Sequence, residues 1–85
     1  MMNYATMKRM RFLPRKIETL ERKIERDRED LQRIRNDLLY ETEQHGILRR
    51  KERTRVERIE RRMEDLNRLR MENMKTRQKF LETIS

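Results

Sequence analysis

Residues 14–45 read PRKIETLERKIERDREDLQRIRNDLLYETEQH, and the spacing of their apolar side chains decides the fold. Ile17, Leu20, Ile24, Leu31, Ile34 and Leu38 follow one another at steps of 3, 4, 7, 3 and 4, a heptad seam in which Asp27 holds the only slot without an apolar residue. Apolar residues at alternating steps of three and four share one face of a helix, and that face needs another helix to cover it. Pro14 suits a first helical position, where its missing N–H would have no partner anyway. Glu18 with Arg22 and Glu29 with Arg33 are i,i+4 pairs, each worth roughly 0.2–0.5 kcal/mol. The pattern predicts a helix over 14–45 behind a basic N-terminal arm, 1–13.

Downstream, the same heptad lands on Glu41, His45, Leu48, Glu52 and Arg55, so the seam turns polar. An apolar stripe resumes one residue out of phase at Val56, Ile59, Met63 and Leu66. Met74 and Leu81 continue it, with Arg70 and Arg77 interrupting. Gly46 suits the position just past a helix end, and Thr54 with Glu57 three residues on matches a capping box. Together these signals predict a single all-α domain built as an antiparallel helical hairpin: helix 14–45, a connection over 46–53 and a second helix over 54–85. The competing architecture is one continuous rod in an oligomeric coiled coil. One glycine costs a helix only about 1 kcal/mol, and roughly 70 residues at 1.5 Å would make a rod about 105 Å long.

Composition agrees with helix and excludes much else. Of 85 residues, 33% are apolar and 47% charged, against roughly 45–50% and about 25% in an ordinary globular domain. Arg, Glu, Lys, Leu and Met, all good helix formers, dominate. No apolar run is long enough to span a bilayer. There is no cysteine, which removes disulfides, thiolate metal sites and thiol nucleophiles. The lone histidine, His45, supports neither a His-rich metal site nor a Ser-His-Asp set. Catalysis, a cofactor, a bound metal and a small-molecule substrate are therefore not expected, and the setting expected is intracellular (cytoplasmic, nuclear or nucleoid).

The net charge of +8 is unevenly spread. Residues 1–16 hold five basic side chains, Lys8, Arg9, Arg11, Arg15 and Lys16, and no acid; residues 17–45 sum to −3 and residues 47–85 to +6. The acid-free segment reads as an arm that orders on a partner, with a surface-binding amphipathic segment or a mitochondrial leader as the alternatives. Lys51, Arg55, Arg58 and Arg62 form a stripe at helical spacing. Glu18, Glu21, Glu25 and Glu29 form an acidic ridge. A hairpin turning near 46–50 sets that ridge away from the stripe and leaves the stripe for an outside partner. Asp27 is expected to be partly solvated, and His45 to sit at a helix C-terminus beside the negative end of its dipole.

Arginine outnumbers lysine 18 to 6, which favours bidentate contact with carboxylate or phosphate. The aromatics Tyr4, Phe12, Tyr40 and Phe80 are too scattered for a base-stacking platform. Glu52, Glu57 and Glu60 within the basic stretch, and Arg70, Asn73 and Arg77 where leucines should repeat, argue against a basic-zipper DNA reader. The leading expectation is a non-enzymatic helical interaction module, a small basic component or modulator of a larger assembly. It would dock through its basic side chains on an acidic protein surface, with its seams holding the hairpin or pairing with partner helices or a second copy. The alternative is nucleic-acid or ribonucleoprotein binding through backbone phosphates.

Overall fold

In the computed structural model, which describes residues 4–40 and 43–84, the chain forms two α-helices: α1, Tyr4–Tyr40, and α2, His45–Ile84. They lie antiparallel. Asp27 pairs with Arg58 and Arg62, Arg35 with Glu52, and Glu21 with Arg70. The hairpin measures 64 × 16 × 14 Å, its length matching a 40-residue helix at 1.5 Å per residue. No described helix is long and apolar enough to cross a membrane.

The helix limits differ from those expected. α1 starts at Tyr4, so most of the arm is helical and Pro14 stands inside the helix. The seam explains this: Met10 and Leu13 extend it upstream by the same 4, 3 steps, and Leu13 is 3% exposed. Burial of that turn against α2 offsets the cost of proline, about 3 kcal/mol in a helix interior. The reversal comes earlier than 46–53, with Glu43 and Gln44 in a turn. Leu48 N–H donates to the Gln44 carbonyl at 3.0 Å, opening α2. His45 therefore begins α2 instead of ending α1. Thr54 caps nothing; in mid-helix its hydroxyl donates to the Arg50 carbonyl at 3.0 Å. Glu41 lies outside the described residues.

Gly46, inside the first turn of α2, has no positive φ and nothing within 4 Å of where a Cβ would sit. Its flexibility serves no geometric need, so Gly46→Ala should stabilise the hairpin by roughly 0.5–1 kcal/mol. At this chain length that is a rise in Tm of about 2–8 °C, readable by circular dichroism. A fall would show that the glycine serves the reversal.

The core is a single seam. Its buried apolar members are Leu13, Ile24, Leu31, Leu48, Ile59 and Leu66. Half-buried Met10, Ile17, Leu20, Ile34 and Leu38 complete α1; Glu52, Arg55, Arg62, Leu69, Asn73 and Phe80, with buried Thr76, complete α2. The second stripe is thus not out of phase. Counting on from Leu38 in steps of 3 and 4 gives 41, 45, 48, 52, 55, 59, 62 and 66, and the α2 seam follows that count to Phe80. Ile59 and Leu66 belong to it. Val56 only flanks it, and Met63, Met74 and Leu81 are 41%, 58% and 60% exposed. Polar side chains at 52, 55 and 62 occupy true core positions.

Asn73 is a weak layer of this seam: its side-chain oxygen is buried without a hydrogen-bond partner. An unsatisfied buried acceptor costs about 1–3 kcal/mol. Asn73→Leu should remove that cost, add apolar burial and raise the urea midpoint; an unchanged midpoint would mean solvent already satisfies the amide.

Candidate functional site

Two places on the hairpin concentrate charge, and they differ in kind. The first is in the middle of the seam. Asp27, at a core slot of α1, is only 3% exposed. Arg58 donates to its Oδ1 at 2.8 Å, and Arg62 donates to its Oδ2 and to the Lys23 carbonyl, the latter at 3.5 Å. Arg55 stands 3.7 Å from Asp27 and 3.9 Å from Asp30. The geometry follows from the heptad: Arg55 and Arg62 are seam positions one heptad apart on α2, and Arg58 flanks them. A carboxylate enclosed by three guanidiniums is well satisfied, although Arg58 Nε is buried without a partner.

This corrects two expectations. Asp27 is buried, not solvated, because α2 lays three arginines across it. The stripe is not left free either: Arg55, Arg58 and Arg62 are used within the chain, and only Lys51 stays exposed. A turn near 46–50 would carry the stripe past Asp27 toward the reversal; the earlier reversal brings 55–62 level with Asp27. The outer acidic ridge plays no part in this cluster. Glu18 pairs with Arg22 at 3.3 Å, and Glu21 reaches Arg70 at 4.0 Å. The cluster ties α1 to α2 at this level of the seam.

The second place is the open end, where α1 begins and α2 ends. Residues 1–16 carry five basic side chains and no acid, and residues 73–85 carry three basic and one acidic, so together they hold +7 of the formal +8. Lys8, Arg9, Arg11, Arg15 and Lys16 are exposed and form no ion pair among the described residues. They are interleaved with Tyr4, Met7 and Phe12, which are 79%, 43% and 52% exposed. Lys16 Nζ lies 4.9 Å from the centre of the Phe12 ring, a cation–π contact.

Beside this end, a groove of about 750 Å³ runs between the helices, with Phe12, Leu20 and Leu69 among its walls. The flank on the opposite side of the seam is bridged by Glu21–Arg70 and by Arg28 against Met63. On the groove side Lys23 and Asp65 both line the wall, yet no ion pair joins them, because Asp65 accepts from Arg68 on its own helix. The groove was not foreseen in the sequence. Its trace there is the run of unpaired cations at 15, 16 and 23 beside the Leu20 seam slot. No group of His, Cys, Asp or Glu side chains able to hold a metal occurs among the described residues. Compared with known proteins, the chain matches no family, no curated protein and no solved structure.

Proposed function

We propose that this chain is a non-enzymatic interaction module, a small basic component or modulator of a larger intracellular assembly, that docks by the open end of its hairpin on an acidic protein surface. One observation carries the reading: +7 of the net +8 belongs to that end, and its cations form no ion pair among the described residues. Fixed helices present these cations without the ordering cost a flexible arm would add on binding. Exposed Tyr4, Met7 and Phe12 among them supply apolar contact area, which protein surfaces reward and phosphate backbones do not. Lys8, Arg9, Arg11, Arg15 and Lys16 are the docking residues in this reading. Lys51 remains available, whereas Arg55, Arg58 and Arg62 are committed to Asp27.

The second reading places the same arginines on nucleic-acid phosphates. Titration of the whole protein with poly-glutamate and with duplex RNA, from about 50 to about 200 mM salt, separates the two. Binding to poly-glutamate, lost on combined Lys8→Glu, Arg11→Glu and Arg15→Glu substitution with helicity intact, is the expected result. Tighter binding to RNA than to the polyanion, with a steep salt slope, would favour the phosphate reading. No binding to either at low salt would remove both.

A further inference from the structure

We infer that the groove between Phe12, Leu20 and Leu69 is the seat of a third helix, an acidic amphipathic segment of the partner. The inference rests on the docking function proposed above and names the site and the form of the ligand.

The seam needs covering here. Leu20 and Leu69 are core-phase residues on the groove wall yet remain half-buried, and Phe12 beside them is 52% exposed. Toward the turn, the arginines around Asp27 and Asp30 close the hairpin. Beyond them, the groove side has no such bridge.

The shape favours a helix. The lining runs along α1 from Phe12 to Lys23, three turns or about 16 Å at 1.5 Å per residue. The trough has helical walls and is open along its side. Such a trough accepts anchors at i, i+3, i+4 and i+7 of another helix, the arrangement of helix-in-groove recognition.

The charge selects an acidic one. Arg15, Lys16 and Lys23 stand on the rim without ion-pair partners among the described residues. With Asp65 tied to Arg68, Glu72 is the rim carboxylate set against them. Carboxylates flanking the apolar anchors of the incoming helix would meet three cations. A second copy of this chain does not supply that combination. The acidic ridge of α1 has Arg22 and Arg26 among its glutamates and no apolar anchor; the exposed Met71 and Met74 of α2 sit beside Arg70, Lys75 and Arg77; Met63, between Glu60 and Glu64, is a single anchor held against Arg28; and Leu39 and Tyr40, near Asp37 and Glu43, are adjacent residues at the end of α1 that give no run of anchors at helical spacing.

The test uses the intact protein and three helical peptides about three heptads long. One carries leucine at its seam positions flanked by glutamate, one the same glutamates with serine for leucine, and one leucine flanked by lysine. Fluorescence anisotropy should show saturable binding of the leucine–glutamate peptide, binding of the serine–glutamate peptide weaker by about tenfold or more, and none of the leucine–lysine peptide. Phe12→Ala, outside the seam and so neutral to the fold, should weaken it about tenfold. Lys16→Glu with Lys23→Glu should abolish it while the circular dichroism stays unchanged. Equal binding of the serine–glutamate peptide, with Phe12→Ala silent, would overturn the groove and leave acidic docking standing. Failure of both glutamate peptides at low salt would overturn the two together. Binding of the leucine–lysine peptide at equal strength would overturn the charge argument.

Discussion

Asp27→Ala should lower the stability of the hairpin by about 3 kcal/mol, near the bottom of the 3–5 kcal/mol range for removing one partner of a buried ion pair. The loss comes from what remains. Arg58 and Arg62 would face a seam without a counter-ion, and Arg55 would keep only Asp30 at 3.9 Å. Their side chains are 27–37% exposed, so solvent relieves part of the penalty. A chain this small has a stability of about 5 kcal/mol or slightly more, and its apolar core is six side chains on one seam. The variant should therefore keep only about 2 kcal/mol and melt roughly 12–24 °C below the parent, in a broad, early fall of the ellipticity. Asp27→Asn keeps one acceptor oxygen for the arginines, turns the other into a donor and removes the charge, so it should lie between the two proteins. A loss below about 1 kcal/mol for the alanine variant, the level of an exposed pair, would mean that solvent screens the cluster.

That cluster also explains which parts of the molecule can be read from the chain. The α1 seam is plain in the sequence because Ile17 to Leu38 are apolar at nearly every core slot, and period alone identifies them. The α2 seam is hidden because three of its core slots, 52, 55 and 62, are charged. Val56 and Met63, each one residue along, then offer a more apolar but false phase. Continuing the α1 count through the turn would have found it, since that count lands on Leu48, Ile59 and Leu66. Punctuation misled for a related reason. Pro14, Gly46 and Thr54 are breakers or caps by local preference, and tertiary burial on the seam overrides weak local terms. The open-end cations could be read directly as an acid-free segment. The groove could not, because it depends on which flanking residues bridge across the helices, and that depends on the position of the reversal.

Replacing the buried charges together should reverse the sign of the single substitution. A combined Asp27→Leu, Arg55→Leu and Arg62→Leu variant clears the charges of this cluster from the core slots, and Arg58, on the flank and 37% exposed, is left to solvent. Exchanging a buried ion cluster for apolar side chains is often neutral or stabilising by about 1–4 kcal/mol. Its melting temperature should match or exceed that of the parent, while Asp27→Ala falls far below it. The gain would come with a loss of specificity. The heptad runs unbroken through the reversal, so the same seam could serve a continuous helix paired in parallel with a second copy. In that arrangement each seam residue meets its own counterpart, which sets aspartate on aspartate and arginine on arginine. Only antiparallel alignment turns these layers into attractive ones, so the cluster acts as a direction selector of the kind polar core residues provide in coiled coils. With leucine at all three slots the selection disappears. The short connection still holds the two helices of one chain at an effective concentration in the millimolar range. Sedimentation and small-angle scattering should accordingly show the parent as a monomer about 64 Å long at every concentration. The triple variant should shift toward longer dimers as concentration approaches about 1 mM. A triple variant that stays monomeric with the parent's dimensions across that range would assign the choice of hairpin to the turn instead of to Asp27 and its arginines.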